Sequence, residues 1–246
     1  MTTYKGYALF DLDQTLVPWD MQLLYANWVF DKAPWRRLFL LPFLGALPFS
    51  SLIGARRMKR LFLAILFGMS KGEVERLSQA FVEFYYPKEF YPEMIQMLRK
   101  HLSEGYCVIL TSASPSLYVP FIGERLGVTQ TFCTEVEQSD YMPLFPQIKC
   151  NNKHIEKVRI IKEWMSEQNL KLSIPLPHSV AYTDSSADLP LVNLTESCVL
   201  VNPSTKLVDT TKGKCKTIKR PQRPFCGKFG KIVAATRLLF GLYPIR

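Results

Sequence analysis

The sequence is poor in the residues that build metal clusters and covalent staples. It has three histidines in 246 residues. His101, His154 and His178 have no partner at useful spacing and read as structural. The six cysteines, Cys107, Cys133, Cys150, Cys198, Cys215 and Cys226, are scattered, with no CxxC and no Cys/His pairing at zinc spacing. That excludes a thiolate zinc site. At this length disulfides are unnecessary, so reduced thiols in a cytosolic compartment are expected. No internal repeat or low-complexity tract occurs, which excludes a solenoid. No basic and then long apolar leader opens the chain; Met1 to Tyr7 leads straight into a strand-like run, and a secretory signal is not expected. What is plentiful is apolar side chain. Hydrophobic residues make up 48% and charged residues 21%, enough for a core and against a disordered or fibrous chain.

Charge is unevenly placed. Lys and Arg number 31 against 21 Asp and Glu, net +10. The last 41 residues hold 11 basic residues and one acid, Asp209, whereas the first 205 balance at 20 of each. A neutral body with a basic tail can meet nucleic acid or an anionic lipid surface. No nucleic-acid-binding motif is present, so none is expected as a partner.

Short apolar runs at Tyr7 to Phe10, Cys107 to Leu110, Ser179 to Tyr182 and Ser197 to Val201 predict strands. Between them lie helical stretches such as Tyr91 to Ser103, Leu117 to Leu126 and Ile155 to Gln168. Alternating strands and helices predict an α/β fold, a Rossmann-like parallel sheet with helices on both faces. Polar residues follow the first three strands, where such sheets place ligands.

Residues 17–87 break this rhythm and read as a helical cap inserted after the first strand. The core is then 1–16 and 88–205, and 206–246 is a basic tail with a short helix. Leu38 to Ala55 is a run of 18 uncharged residues, preceded by Arg36 and Arg37 and followed by Arg56, Arg57, Lys59 and Arg60. Eighteen just reaches the lower range for a membrane span, and Pro42, Pro48, Ser50 and Ser51 weaken that reading. A buried pair of cap helices, a single span and a hairpin dipping into one leaflet compete. The hairpin is favoured, with its arginines at the headgroups, on the cytoplasmic side of a membrane. Arg56, Arg57, Lys59 and Arg60 are candidates to grip a lipid phosphate, or form a solvated or snorkelling basic face.

Three polar loops carry the chemistry. Phe10-Asp11-Leu12-Asp13-Gln14-Thr15-Leu16 sets two carboxylates just past a strand. They cost stability unless a cation holds them, as Mg²⁺ does with oxygen ligands; the alternative is an Asp-rich turn capping a helix. Thr111-Ser112-Ala113-Ser114-Pro115 can form a phosphate cradle or an ordinary N-cap. Asp184-Ser185-Ser186-Ala187-Asp188 offers a third metal ligand and a partner for a lysine, or a capped helix start.

In this order, with a lysine-bearing helix between the second and third, these elements resemble the haloacid dehalogenase (HAD) superfamily of phosphohydrolases over nearly the whole chain. The insertion matches the subfamily IB pattern with a helical C1-type cap, which includes phosphoserine phosphatases. A closer likeness is to the bacterial phosphatidylglycerophosphatase C group, carried by Phe10 to Met21, the Arg-bounded apolar cap, Thr111 to Pro115, Ile155-Glu156-Lys157-Val158 and Thr183 to Asp188. The resemblance implies Asp11 as nucleophile, Asp13 as general acid and base, and Lys157 as the neutralising lysine, with Lys153 as its alternate. It implies Mg²⁺ held by Asp11, the backbone carbonyl of Asp13 and Asp184. It places the phosphoryl group on Ser112 and Ala113, the substrate's leaving group near Asp20, and Thr15 and Asp188 in support.

Three departures from the family pattern are Gln14 and Thr183, each at a common glycine position, and Ser185-Ser186 where glycine is frequent. The expected activity is Mg²⁺-dependent phosphomonoester hydrolysis through an aspartyl-phosphate. Its expected substrate is a phospholipid phosphate such as phosphatidylglycerophosphate at an anionic membrane surface. A small soluble metabolite such as phosphoserine is the alternative, and a non-catalytic membrane-surface adaptor the third.

Overall fold

A computed structural model describes residues 4–170 and 172–245. Met1 to Thr3, which begin the leaderless N-terminus expected above, Lys171 and the basic Arg246 lie outside the described residues.

Strand β1 (Tyr7–Phe10) is followed by α1 (Met21–Lys32), a 3-10 stretch Pro34–Leu40, α2 (Leu41–Ala46), a 3-10 turn Leu47–Phe49, α3 (Ser50–Ile53), α4 (Ala55–Phe62), a 3-10 turn Leu63–Leu66, α5 (Lys71–Tyr85) and α6 (Pro92–Ser103). Then come β2 (Cys107–Pro115), α7 (Val119–Leu126), β3 (Gln130–Val136), β4 (Ile148–Cys150), α8 (Ile155–Glu167), β5 (Leu176–Thr183), a 3-10 turn Ser186–Asp188, α9 (Leu189–Leu194), β6 (Thr195–Val201), α10 (Thr205–Thr210), β7 (Cys215–Lys219) and α11 (Gly227–Leu239). The sheet runs β4-β3-β2-β1-β5-β6-β7, parallel except where β4 pairs antiparallel with β3. This is the expected Rossmann-type α/β architecture.

A parallel sheet buried on both faces needs apolar side chains at every position, and all four residues of β1 are buried. Successive side chains point to opposite faces. Ala8 and Phe10 join one core cluster with Val108, Leu110, Val180 and Tyr182, while Tyr7 and Leu9 join another with Cys107, Ile109 and Ala181. Strands β3, β4 and β7 were not anticipated. Partly exposed outer strands have no continuous apolar run; β7 reads Cys-Lys-Thr-Ile-Lys, a charged edge that resists pairing with another chain. The basic tail is thus not detached, since its first part extends the sheet.

The helices between β1 and α6 have no separate core. Leu24, Tyr25, Phe30, Leu40, Phe62 and Phe81 belong to the same cluster as Phe10 and Leu110. Pro34–Ile53 is long and apolar enough to cross a membrane by length and composition, but it is broken into four short helical pieces. Trp35, Leu38, Leu41, Leu47, Phe49 and Leu52 are exposed, Leu52 by 84%. The flanking basic residues differ from expectation, because most hold the fold together. Arg36 donates to the carbonyls of Ile65 and Phe67, each at 2.9 Å. Arg37 donates to Phe240 and Gly241, Arg56 to Ile148 and Arg60 to Phe145 and Pro146. Unpaired carbonyls at turn and helix ends need donors, and guanidinium groups supply several in a fixed fork.

Candidate active site

The chain switches from one side of β1 to the other at β5, so a crevice opens at the C-terminal ends of β1, β2 and β5. Register fixes the rest. Phe10 lies beside Leu110 and Tyr182, and the Asp11 N–H donates to the Tyr182 carbonyl at 3.0 Å. Asp11, the Ser112 loop and Asp184 therefore leave the sheet together. They line one cavity of about 290 Å³, along with Asp13, Gln14, Asp20, Gln22, Ala55, Lys59, Ala113, Ser114, Asn151, Lys153, Lys157 and Asp188.

At the base, Lys157 is 3% exposed and carried by the first turn of α8. Its ammonium lies 2.7 Å from Asp11 Oδ1 and 2.8 Å from Asp188 Oδ1. Burial opposes this charge, but Asp11 and Asp188 outweigh it and hold the lysine protonated above its ordinary range. Burial also pushes the Asp11 carboxyl up, while Lys157 pulls it down. Lys153, the alternate, lines the cavity without this pairing. Thr15 donates weakly to Asp11 Oδ2 at 3.4 Å. Asp188 also accepts from Thr183 Oγ1 at 2.9 Å, and that hydroxyl in turn accepts from Ser185 N. The threonine at the family's glycine position therefore orients the lysine's partner.

Asp13 faces the hydroxyls of Ser112 and Ser114, at 3.1 and 3.0 Å, and accepts from Met21 N at 2.7 Å. Ser112 also accepts from Ser114 N. Asp20 caps α1, accepting from Gln22 and Leu23 N, and borders the cavity mouth. Its helix-starting and cavity-facing roles thus coexist. Its outer edge meets solvent, but enclosure by the surrounding cap, with Asp13 nearby, pushes its carboxyl up to about 6. Asp184 is likewise pushed up to about 6, first by burial and then by Asp188 and Asp13.

Two sets of contacts escaped the sequence, those of Lys59, read only as a phosphate-gripping or surface lysine, and those of Asn152. Lys59, on α4, reaches from the cap into the core, donating to the Ala113 carbonyl at 2.5 Å, Asn151 Oδ1 at 2.9 Å and Thr134 Oγ1 at 3.2 Å. Ala113 thus presents its carbonyl to the cap as well as lining the cavity. Asn152, fully buried, donates to Thr111 Oγ1 and the Ser112 carbonyl at 3.1 and 3.0 Å, bracing the hydroxyl loop. Both lie in stretches with no motif; only the polar run Cys150-Asn151-Asn152-Lys153 before a helix could have flagged the second.

Burial lowers Lys59 to about 8 despite the pull of Asp13 and Asp20. Its folded value lies below that of the unfolded chain, so the unfolded state holds more protons between about 8 and 10.5. Its contribution to stability therefore rises with pH across that window. Melting wild type and Lys59→Met from pH 7.5 to 10.5 should show the difference between them changing in that sense; a constant difference would rule it out.

Among the described residues no three His, Cys, Asp or Glu side chains stand together as a metal-holding group. Asp11, Asp13, Asp184 and Asp188 all line the cavity wall, Asp13 with its carboxylate turned to the serine hydroxyls and α1.

A family profile described as haloacid dehalogenase-like hydrolase matches residues 8–193. The chain is 24% identical over 209 residues to phosphoserine phosphatase SerB1 of Mycobacterium tuberculosis, covering 81% of this chain and 66% of that one. It is 23% identical over 220 residues to a histidinol-phosphatase of Neisseria meningitidis, covering 85% and 96%. Among solved structures, a Bordetella pertussis protein of unknown function superposes with TM-score 0.74 at 21% identity, covering 87% of this chain and 98% of that one. A substrate-bound phosphoserine phosphatase superposes with TM-score 0.57 at 15% identity, covering 90% and 95%. A parallel sheet with its acid-bearing loops at one rim, matched by the family profile across most of its length, makes this chain a member of the haloacid dehalogenase-like hydrolases.

Proposed function

We propose that the protein hydrolyses small polar phosphomonoesters through an aspartyl-phosphate on Asp11. One observation carries this reading: a buried lysine bridges Asp11 and Asp188 beneath a polar cavity roofed by the cap residues Asp20, Gln22 and Lys59. An Asp11 oxygen attacks phosphorus as the bond to the alcohol oxygen breaks. Asp13 gives its proton to that oxygen, then takes one from the water that releases phosphate and restores Asp11. Ser112 and its loop hold the phosphoryl oxygens, and Lys157 offsets the charge gathered on nucleophile and phosphate.

The donor set fits Mg²⁺. Four carboxylates, Asp11, Asp13, Asp184 and Asp188, share a cavity faced by the ammonium groups of Lys157 and Lys59. Burial raises the Asp184 carboxyl first, with Asp188 and Asp13 adding to it. Asp11, Asp184 and the Asp13 carbonyl are the hard oxygen donors that would hold the ion. When bound, Mg²⁺ supplies charge neutralisation to the phosphoryl oxygens.

A cavity of about 290 Å³ takes a small alcohol. Asp20 at its mouth suits an ammonium group, in keeping with the phosphoserine and histidinol phosphate named for the relatives. A second reading, a lipid phosphate such as phosphatidylglycerophosphate on the cytoplasmic side of a membrane, draws on the exposed apolar stretch. From Lys32 to Gly72 no Asp or Glu occurs, seven large apolar side chains there face solvent, and Ala55 within it borders the cavity. Such a surface suits an anionic bilayer.

One panel separates the two. Full-length protein is given phosphoserine, histidinol phosphate and a lipid phosphomonoester in mixed micelles, with Mg²⁺ or with chelator. The first reading expects phosphate release from a small substrate, abolished by chelator and restored by Mg²⁺. Preferential turnover of the micellar lipid would favour the second, and no release from any substrate would overturn both.

A further inference from the structure

The chain does not end at the sheet. After β7 it returns to the cap, and Ala234 and Leu238 of α11 are buried in the shared core. Asn27 of α1, itself buried, clamps the returning backbone by donating to the Tyr243 carbonyl and accepting from its N–H, both at 3.1 Å. Gly241 at φ 66° lies so close to Phe30 that a side chain there would collide with it at 2.5 Å. Trp19 sits between Tyr243 and Phe225, at centroid distances of 5.0 and 5.8 Å. The segment thus wraps the link that joins the Asp11–Asp13 loop to the cap.

One side chain goes further. Lys231, on the face of α11 toward that link, donates to Gln14 Oε1. Gln14 directly follows Asp13 and holds φ at 59°, a left-handed conformation that disfavours any residue with a side chain. Glutamine is therefore a costly choice for the turn unless its amide is used. The turn must also keep one conformation, because it sets where Asp13 points. Resting on the phosphatase reading, we infer that Lys231 is a positioning residue: through Gln14 the C-terminal helix locks the turn that aims Asp13 at the substrate oxygen.

The test uses full-length protein, para-nitrophenyl phosphate with Mg²⁺ as the probe, and hydrogen exchange of amides 13–19. Lys231→Met should lower kcat roughly three- to tenfold, the range for losing one charge-assisted hydrogen bond, here at an exposed site. KM should stay within about twofold and exchange at residues 13–19 should quicken, since the turn is loosened. Lys231→Arg should keep most of the rate, and Lys228→Met on the same helix should change neither readout. In Gln14→Ala with Lys231→Met, the double variant should cost no more than the larger single one. Wild-type kcat and exchange in Lys231→Met, additive losses, or equal losses in Lys228→Met would each overturn the inference. An inactive wild type would remove the phosphatase reading instead, and exchange at the turn would still judge the Lys231 contact.

Discussion

Asp11→Asn is expected to cut phosphomonoester turnover by about a thousandfold or more, the scale seen when a covalent nucleophile is removed. Asparagine keeps the size and can still accept from Lys157, so the pocket geometry should survive. What it loses is the anionic oxygen that must bond to phosphorus. It also relieves a crowded site, because Asp11 shares its cavity with Asp13, Asp184 and Asp188 and burial already disfavours its charged form. In chelator the variant should therefore melt no lower than wild type. Phosphate release and a thermal melt read both effects, and wild-type turnover by the variant would dismiss Asp11 as nucleophile.

The second large effect is on the fold itself. Lys157→Met leaves Asp11 and Asp188 buried without their common partner, and stranding buried charge in this way costs about 3–5 kcal/mol. For a chain of this size that is a fall in Tm of about 10 °C. The lysine's raised folded value means that its stabilisation is full below the ordinary lysine range and fades as pH climbs above it. The deficit of the variant should therefore hold steady from pH 6 to 9. Adding Asp188→Asn should recover part of the melting temperature, since one stranded charge is gone, but none of the turnover. A melting temperature unchanged in Lys157→Met would show that the pair contributes nothing to the folded state.

The sheet's centre was readable because strands buried on both faces must be apolar: the four runs expected correspond to β1, β2, β5 and β6. The outer strands were not, since Gln130–Val136 and Cys215–Lys219 mix polar and charged residues as edges do. The acids were readable because each follows an apolar run, where the sheet delivers its polar loops. Choosing between Lys153 and Lys157 needed the phase of α8, which turns Lys157 inward toward Asp11. Lys59 was grouped with surface arginines because charge pattern alone cannot tell an ammonium aimed at carbonyls from one facing solvent. The partners of Arg36 and Arg37, the carbonyls of Ile65, Phe67, Phe240 and Gly241, likewise carry no mark in the sequence.

Because α1 and α5 share one core with the sheet, the roof over the catalytic acids cannot lift away as a rigid lid without tearing out Leu24, Tyr25 and Phe81. The pieces α2 and α3, by contrast, bury none of their residues, and α4 buries only Met58 and Phe62 and is otherwise tied down by the hydrogen bonds of Arg56, Lys59 and Arg60. On the phosphatase reading, any opening of the cavity would fall to residues 41–60 rather than to the cap as a whole. Lys59, with Arg56 and Arg60, ties that segment down, and its bond to the Ala113 carbonyl would couple any such opening to the phosphate-binding loop itself.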